Sequence, residues 1–377
     1  MKTKVFLDSG AFSAWNQKVP LRNEDYIDYA QERRDKFSVV AGLDMIPGTM
    51  YKTPTQAEVD MAAATSWDNA MAMRRAGIPC LPTYHMGEDR KHLCRMLSGE
   101  FDYIALGTTG SLSIRERQEW LDDLFANYLT DDNGYPVIKT HGFAVFCDHA
   151  YRYPWYSCDS TTPRIWASMG LIFLPKKVDG KYDYTVPFEM GVPSEAHIKE
   201  APKTMVGEAS QTYGMRKAMV AHEFDKVRID AFARDELDMD FELLKTDAKQ
   251  RYRANIITAL RVERGITQVC DYGERRLSRK IKIAAKAKNG FWHKKPEGII
   301  TEGLKFRDFK YYFASGIGRS EHKIYTELGV ENRLISYYYL TGAGRKHSKY
   351  DHVLDEIVET GVLPDADDDN DEAGERT

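Results

Sequence analysis

The sequence predicts an α/β fold: a TIM-type (β/α) barrel, with its strand count open, followed by a mainly helical, basic C-terminal region. Three observations predict it. Short apolar runs alternate with capped helical stretches through the first half of the chain, which is the pattern of parallel βαβ units. Each run closes on or beside a residue able to do chemistry, and in a parallel barrel those residues share one edge. A chain of 377 residues is also long enough for a barrel and a smaller second unit.

Val5-Phe6-Leu7-Asp8-Ser9-Gly10 reads as the first strand, ending on a carboxylate. Asn23-Glu24-Asp25 supplies an N-cap and an acidic first turn for a helix to about Arg34, because side-chain oxygens and negative charge both suit the free N–H groups there. Phe37 to Leu43 is a second buried strand, closing on Asp44 ahead of Pro47-Gly48. Thr53-Pro54-Thr55-Gln56 combines a capping box with proline at the helix start, and the Ala- and Met-rich helix it opens ends near Gly77. Pro79 to His85 is a third strand interrupted by proline, and Phe101 to Leu106 a fourth, followed by the loop Gly107-Thr108-Thr109-Gly110. Ser113 and Glu116 cap a helix through about Tyr128. Val137 to Val145 is the fifth strand and Trp155 to Cys158 the sixth.

Two features resist the barrel. The link from Val145 to Trp155 is shorter than the crossover of about a dozen residues that parallel strands need. Only six strands of eight are clear, with Gly170 to Leu174 a candidate seventh and Lys181 to Val186 more like a hairpin arm. Either later segments complete the set or the barrel is altered. Domain boundaries follow: 1–200 for the catalytic unit, 201–363 for the helical region, 364–377 for an acidic tail.

The tail holds seven acids and one base, so the net charge of −4 conceals a body at +2. Such a tail is expected to stay solvated and disordered. Phe241 to Glu263 has helical apolar spacing with Gly265 as its stop. Arg275 to Lys295 carries nine Lys/Arg and no acid, with Leu277, Ile281 and Ala284 on one face. An ordinary solvated face mixes charge signs, so this one is expected to bind phosphates; an acidic partner or the chain's own tail is the other reading. Arg275, Arg276, Arg279, Lys280, Lys282, Lys286 and Lys288 are the candidate contacts. The clusters Tyr311-Tyr312-Phe313 and Tyr337-Tyr338-Tyr339 are either packing or platforms for unpaired bases.

Five scattered cysteines form no CxC or CxxC, which disfavours a disulfide framework and a zinc knuckle. No cofactor is expected. His141, Cys147 and His149 lie close in sequence and remain either metal ligands or plain buried side chains. No apolar run is long enough to cross a bilayer, and Met1-Lys2-Thr3-Lys4 leads straight into a strand pattern; a cytoplasmic protein is expected.

Tyr153-Pro154-Trp155-Tyr156-Ser157-Cys158-Asp159-Ser160-Thr161 is an aromatic strand that ends on a second carboxylate and breaks at once. Asp8 and Asp159 are turn caps or a catalytic pair. Asp8-Ser9-Gly10-Ala11-Phe12 resembles the DSGGF motif of tRNA-guanine transglycosylases, and the order of later strand ends fits that superfamily. The string from Tyr153 to Thr161 is more similar to the DpdA-type branch of phages and bacterial genomic islands, which places 7-deazaguanines such as preQ0 in DNA.

The resemblance implies that Asp159 attacks C1′ of a guanosine and forms a covalent glycosyl intermediate, with Asp8 as general acid/base. It implies that Ser9, Gly10, Phe12, Asp44, His85, Gly107 and Gly142 surround the base: Phe12 stacking, Asp44 accepting from its N–H groups, Gly10 and Gly107 opening backbone N–H groups to it. The chemistry agrees, since a carboxylate can trap an oxocarbenium-like centre while a second group handles the proton. The expected partners are DNA, with tRNA as runner-up, and the free 7-deazaguanine base. The family's Cys-rich zinc site has no counterpart among the five scattered cysteines, and the barrel is expected to start at the DSGGF-like strand, so that other segments would have to supply the staves that precede it in the family. An N-glycoside hydrolase with the same two carboxylates, and a non-catalytic nucleic-acid-binding protein on a degenerate barrel, are the competing readings.

Overall fold

The structure, a computed structural model, describes residues 4–49, 52–107, 114–146, 148–185, 189–193, 226–269, 276–289, 312–316 and 334–338. It is a mixed α/β protein. The principal strands are β1 (Lys4–Asp8), β2 (Val39–Ala41), β3 (Cys80–Leu81), β4 (Thr83–His85), β5 (Tyr103–Gly107), β6 (Lys139–Gly142) and β7 (Ser157–Asp159). Further along come β8 (Ile172–Leu174), β9 (Lys176–Val178), β10 (Lys181–Asp183), β11 (Glu189–Gly191), β12 (Tyr312–Gly316) and β13 (Leu334–Tyr338).

Nine of these strands pair in the order β3-β2-β1-β13-β12-β7-β6-β5-β4, every pairing parallel. The two ends of that order, β3 and β4, are consecutive in the chain and separated only by Pro82. Proline cannot donate to a ladder, so the stretch breaks there in pairing but not in direction. Leu81 O accepts from Gly42 N at 2.7 Å on one side, and Pro82 O from Ala105 N at 2.8 Å on the other.

Successive strand residues point to opposite faces, and here both faces are buried. Val5, Leu7, Val40, Cys80, Ile104 and Leu106 belong to the large core shared with the helices. Phe6, Ala41, Leu81, Tyr103 and Ala105 form a separate small cluster on the other face. From that inner face Phe6 of β1 stacks on His141 of β6, ring centroids 4.8 Å apart, although four steps of the pairing order separate the two strands.

Several elements differ from the sequence expectation. A strand at 172–174 exists, but it pairs antiparallel with β11 outside the main sheet. The two strands between β1 and β7 come instead from 312–316 and 334–338, so the boundary expected at residue 200 does not divide the sheet. The expected hairpin arm is present as β10 against β9. A helix of Asp148–Arg152 forms the short crossover into β7. The stretch expected to be one helix from Phe241 is two, Phe241–Thr246 and Ala248–Val269. Gly265 lies inside the second, where a Cβ would sit 2.7 Å from Tyr184 O. Asn23 is the first helical residue and not the cap of its helix. The capping box is seen at Thr55 and Glu58.

The helix Ala248–Val269 packs on the one that follows β7, Thr162–Ser168, and buried polar groups lock the two together. Asn255 accepts from Phe173 N at 2.8 Å and donates to Pro163 O at 3.0 Å and Leu171 O at 3.2 Å. Arg251 donates to Ala167 O at 2.8 Å. Among the described residues no helix is long and apolar enough to cross a membrane.

Candidate active site

Parallel strands bring their C-terminal ends to one edge, and Asp8, His85, Gly107, Gly142 and Asp159 are each the last residue of their strand. Asp44 lies three residues beyond β2. Period two gives four of these strand-end residues an inner-face companion two positions earlier: Phe6 for Asp8, Thr83 for His85, Ala105 for Gly107, Ser157 for Asp159.

Asp8 accepts from Gly10 N at 2.8 Å. Gly10 has φ of 72°, a left-handed turn that sends the chain directly from β1 into the helix Ala11–Gln17 and that glycine adopts without strain. Buried Ser9 accepts from Ala11 N through its Oγ at 3.3 Å, tightening the same turn. Burial lifts the Asp8 carboxyl to about 7 against the pull of the Gly10 N–H, and the nearby Asp159 and Asp44 charges add to the rise.

Half-buried Asp159 accepts from Ala144 N at 2.8 Å. The Phe143-Ala144 turn presents that N–H with Ala144 in the left-handed region at φ 54°, a conformation rare for a residue with a Cβ. Burial raises Asp159 to about 6, with the Ala144 N–H opposing. Two carboxylates share one edge, and the one facing two other acids holds its proton to the higher pH.

His85, expected beside the base, is engaged at both ring nitrogens by the chain itself. Its ring is buried, with Nε2 2.9 Å from Asp44 Oδ2 and Nδ1 3.0 Å from Glu88 Oε1. Burial alone would discharge the imidazole, but hydrogen bonds to both carboxylates and their charges lift it to about 10. Asp44 is thereby held from below by an imidazolium. Glu88 had no sequence signal beyond its place three residues after His85.

Gly107 serves this clamp. A Cβ there would come within 2.5 Å of His85 Cδ2 and 2.9 Å of its Nε2. Gly142 likewise makes room for Val145 and Cys158, whose Cγ2 and Sγ would lie 2.6 and 3.2 Å from a Cβ. Gly107 was expected to open a backbone N–H to the base and Gly142 to lie near it; in the structure each accommodates a neighbouring side chain of the chain itself. Phe12 is 58% exposed on the first turn after Gly10, its ring 5.8 Å from that of Trp15.

The aromatic run before Asp159 is core. Tyr153 and Trp155 are fully buried and pack on Phe125 at 4.8 Å each. Tyr153 donates to Asp122 Oδ1 at 2.8 Å and Trp155 Nε1 to His149 O at 2.9 Å. These side chains brace the entry to β7 and offer no face to a ligand.

The compared sets of protein-family models, characterised proteins and solved structures contain no match to this chain.

The basic stretch is helical over Arg279–Asn289. Among the described residues Leu277, just before it, and Ile281 and Ala285 are buried apolar side chains, whereas Ala284 is exposed. Lys282 is only 6% exposed, its Nζ 3.4 Å from Thr130 Oγ1, so it does not belong to the surface expected to bind nucleic acid. Arg276, Arg279 and Lys280 are exposed. Leu277 N donates to Gly134 O at 2.7 Å, and Gly134 lies in the turn that leads into β6. That contact anchors the basic segment at the end of the sheet opposite the carboxylates. Arg275 and the side chains of Lys286 and Lys288 lie outside the described residues, as do Cys147, the aromatic side chains of 311–313 and 337–339, and the acidic tail. Among the described residues no group of three or more His, Cys, Asp or Glu is placed to hold a metal ion.

Proposed function

We propose that this chain is a guanine transglycosylase that exchanges guanine in DNA for a 7-deazaguanine through a covalent Asp159–glycosyl intermediate. One observation carries the reading. Two carboxylates end two strands of the same parallel sheet, burial raising Asp8 to about 7 and Asp159 to about 6, and the Asp159 charge further favours a proton on Asp8. Between about pH 6 and 7, as those values set it, a nucleophile and an acid stand together, which is the division of labour that glycosyl transfer needs.

In the first step Asp159 forms a bond to C1′ as the bond to guanine N9 breaks, and Asp8 gives its proton to the departing base. In the second the incoming 7-deazaguanine attacks C1′ through N9, the carboxylate leaves, and Asp8 takes up the N9 proton. Asp44, braced by His85, accepts from the N–H edge of the base. The exposed ring of Phe12 supplies a flat face for it. A base in a duplex has to leave the stack before C1′ can be reached. DNA is favoured over tRNA by the resemblance at Tyr153 to Thr161, and not through a contact made by those buried aromatics.

The scaffold we infer is an eight-stave (β/α) barrel. The strand order begins and ends on the two halves of the 80–85 stretch, so counting that stretch once leaves eight staves. The Phe6–His141 stack spans strands four staves apart in either direction, a contact an open sheet would not make. Strands 312–316 and 334–338 are the staves that the first 200 residues lacked.

The test is base exchange. Incubation with guanine-containing DNA and a labelled 7-deazaguanine is expected to incorporate label and to trap a denaturant-stable protein–DNA adduct. Asp159→Asn should abolish both; exchange at the wild-type rate in that variant overturns the nucleophile assignment. Exchange with tRNA alone would move the substrate to the runner-up. Base release without incorporation would show a hydrolase.

A further inference from the structure

Beneath the two carboxylates the inner face carries a buried polar chain that the transfer chemistry does not use. The Tyr103 hydroxyl of β5 is hydrogen-bonded to Ser157 Oγ of β7, and the same Oγ lies 2.6 Å from His141 Nδ1 of β6. His141 and Ser157 are direct register partners. The far nitrogen, His141 Nε2, faces Asp159 Oδ1 at 3.8 Å and has no hydrogen-bond partner of its own. All three side chains are buried. Ser157 and Asp159 lie on one strand two residues apart, so the relay and the carboxylate share a face.

We propose that His141 is a positioning residue for Asp159, presenting an Nε2–H to Oδ1, with its tautomer fixed by the Tyr103–Ser157 hydroxyl pair; this rests on the glycosyl-transfer reading of Asp159. Proton count decides the direction. A buried phenol has to donate its hydrogen or leave it unsatisfied, and Ser157 Oγ is the acceptor that Tyr103 has. Ser157 then spends its one hydrogen on Nδ1, and a neutral imidazole so engaged carries its proton on Nε2. The reverse chain, Nδ1–H to Ser157 to Tyr103, strands the phenol hydrogen in the core.

The ring itself is neutral. It is stacked on Phe6 and meets Phe143 edge-on at 4.6 Å, and burial pushes it down to about 3. Its effect on Asp159 is therefore that of a fixed dipole. Ala144 N already holds Oδ1, and a second N–H aimed at that oxygen leaves Oδ2 as the atom that attacks C1′. The same dipole stabilises the carboxylate as it departs in the second step. Among the described residues the ionisable groups facing Asp159 are Asp8 from β1, His141 from β6 and, deeper, Tyr103 from β5.

Histidine ¹⁵N NMR on the whole protein tests this without needing activity. The His141 ring is expected to show an unprotonated Nδ1 and a protonated Nε2 throughout ~pH 5–8, where a solvent-exposed histidine would titrate. Ser157→Ala should mix the tautomers and raise the Asp159 pKa, followed by its ¹³C carboxyl shift, by about one unit. In the exchange assay the acid limb should move by the same amount, and His141→Gln should keep more kcat than His141→Phe at similar KM. An Nδ1–H tautomer in the wild type overturns the proposal. So does an Asp159 titration that Ser157→Ala and Tyr103→Phe, the milder change, both leave unmoved. If exchange is never detected but the tautomer and titration behave as stated, the relay stands and the transferase reading fails.

Discussion

Gly107→Ala isolates what the last residue of β5 does. The new methyl carbon would come within 2.5 Å of His85 Cδ2, 2.9 Å of Nε2 and 3.1 Å of Thr83 Cγ2. The ring cannot swing away, because Asp44 and Glu88 grip its two nitrogens at 2.9 and 3.0 Å. Overpacking of this kind costs about 1–3 kcal/mol, and a pinned ring places this site toward the upper end. In a His85→Ala background the ring is gone and only the Thr83 methyl still crowds the site, so Gly107→Ala should cost less than about 1 kcal/mol. The interaction energy of the double-mutant cycle is then about 2 kcal/mol, well above what independent sites show. Denaturant unfolding followed by tryptophan fluorescence gives all four values. Equal costs in both backgrounds would refute the idea that Gly107 is glycine for the sake of His85. An unchanged stability with lost base binding would restore the expected role in admitting substrate.

The exchange rate is expected to rise with pH through about 6 as Asp159 loses its proton and to fall through about 7 as Asp8 loses its own; single-turnover rates across pH should show this narrow bell, and Asp8→Asn should lose its alkaline limb. Asn255→Ala should destabilise by about 2–4 kcal/mol, because it removes three buried hydrogen bonds at once, from Phe173 N and to Pro163 O and Leu171 O, an effect read directly by denaturant titration. Reversing the charges of Arg276, Arg279 and Lys280 should weaken DNA binding and flatten its salt dependence while leaving kcat unchanged, since these side chains are anchored at the far end of the sheet from the carboxylates; an unaltered affinity at low salt would show that this surface does not touch DNA.

The sequence by itself determined the local pieces. Short apolar runs and the chain-breaking residues around them depend on neighbouring residues, and so strands β1 to β7 were legible as six runs, though Pro79 to His85 read as one strand, several ends lay one to three residues off, and the capping box was placed at Thr53–Gln56 where the structure has Thr55–Glu58. Asp8 and Asp159 were legible for the same reason: a carboxylate that closes an apolar run can be seen without knowing what it faces. Contacts across the chain were not legible. Nothing near Tyr312 or Leu334 announces that these stretches pair beside β7 and β1. Gly265 looked like a helix stop because its neighbour Tyr184 is distant in sequence, and Lys282 counted as surface charge until Thr130 was found beside it.

His141 and Ser157 became site residues only through partners on other strands, and Glu88 through the His85 ring that Asp44 also holds. Whether a buried ring is charged is decided the same way. His85, between two carboxylates, is held protonated to about pH 10, whereas His141, between two phenylalanines, is held neutral down to about pH 3. The two are the same residue type at similar places along their strands. Ionisation answers to the charges and hydrogen bonds that enclose a group, and those are supplied by tertiary structure.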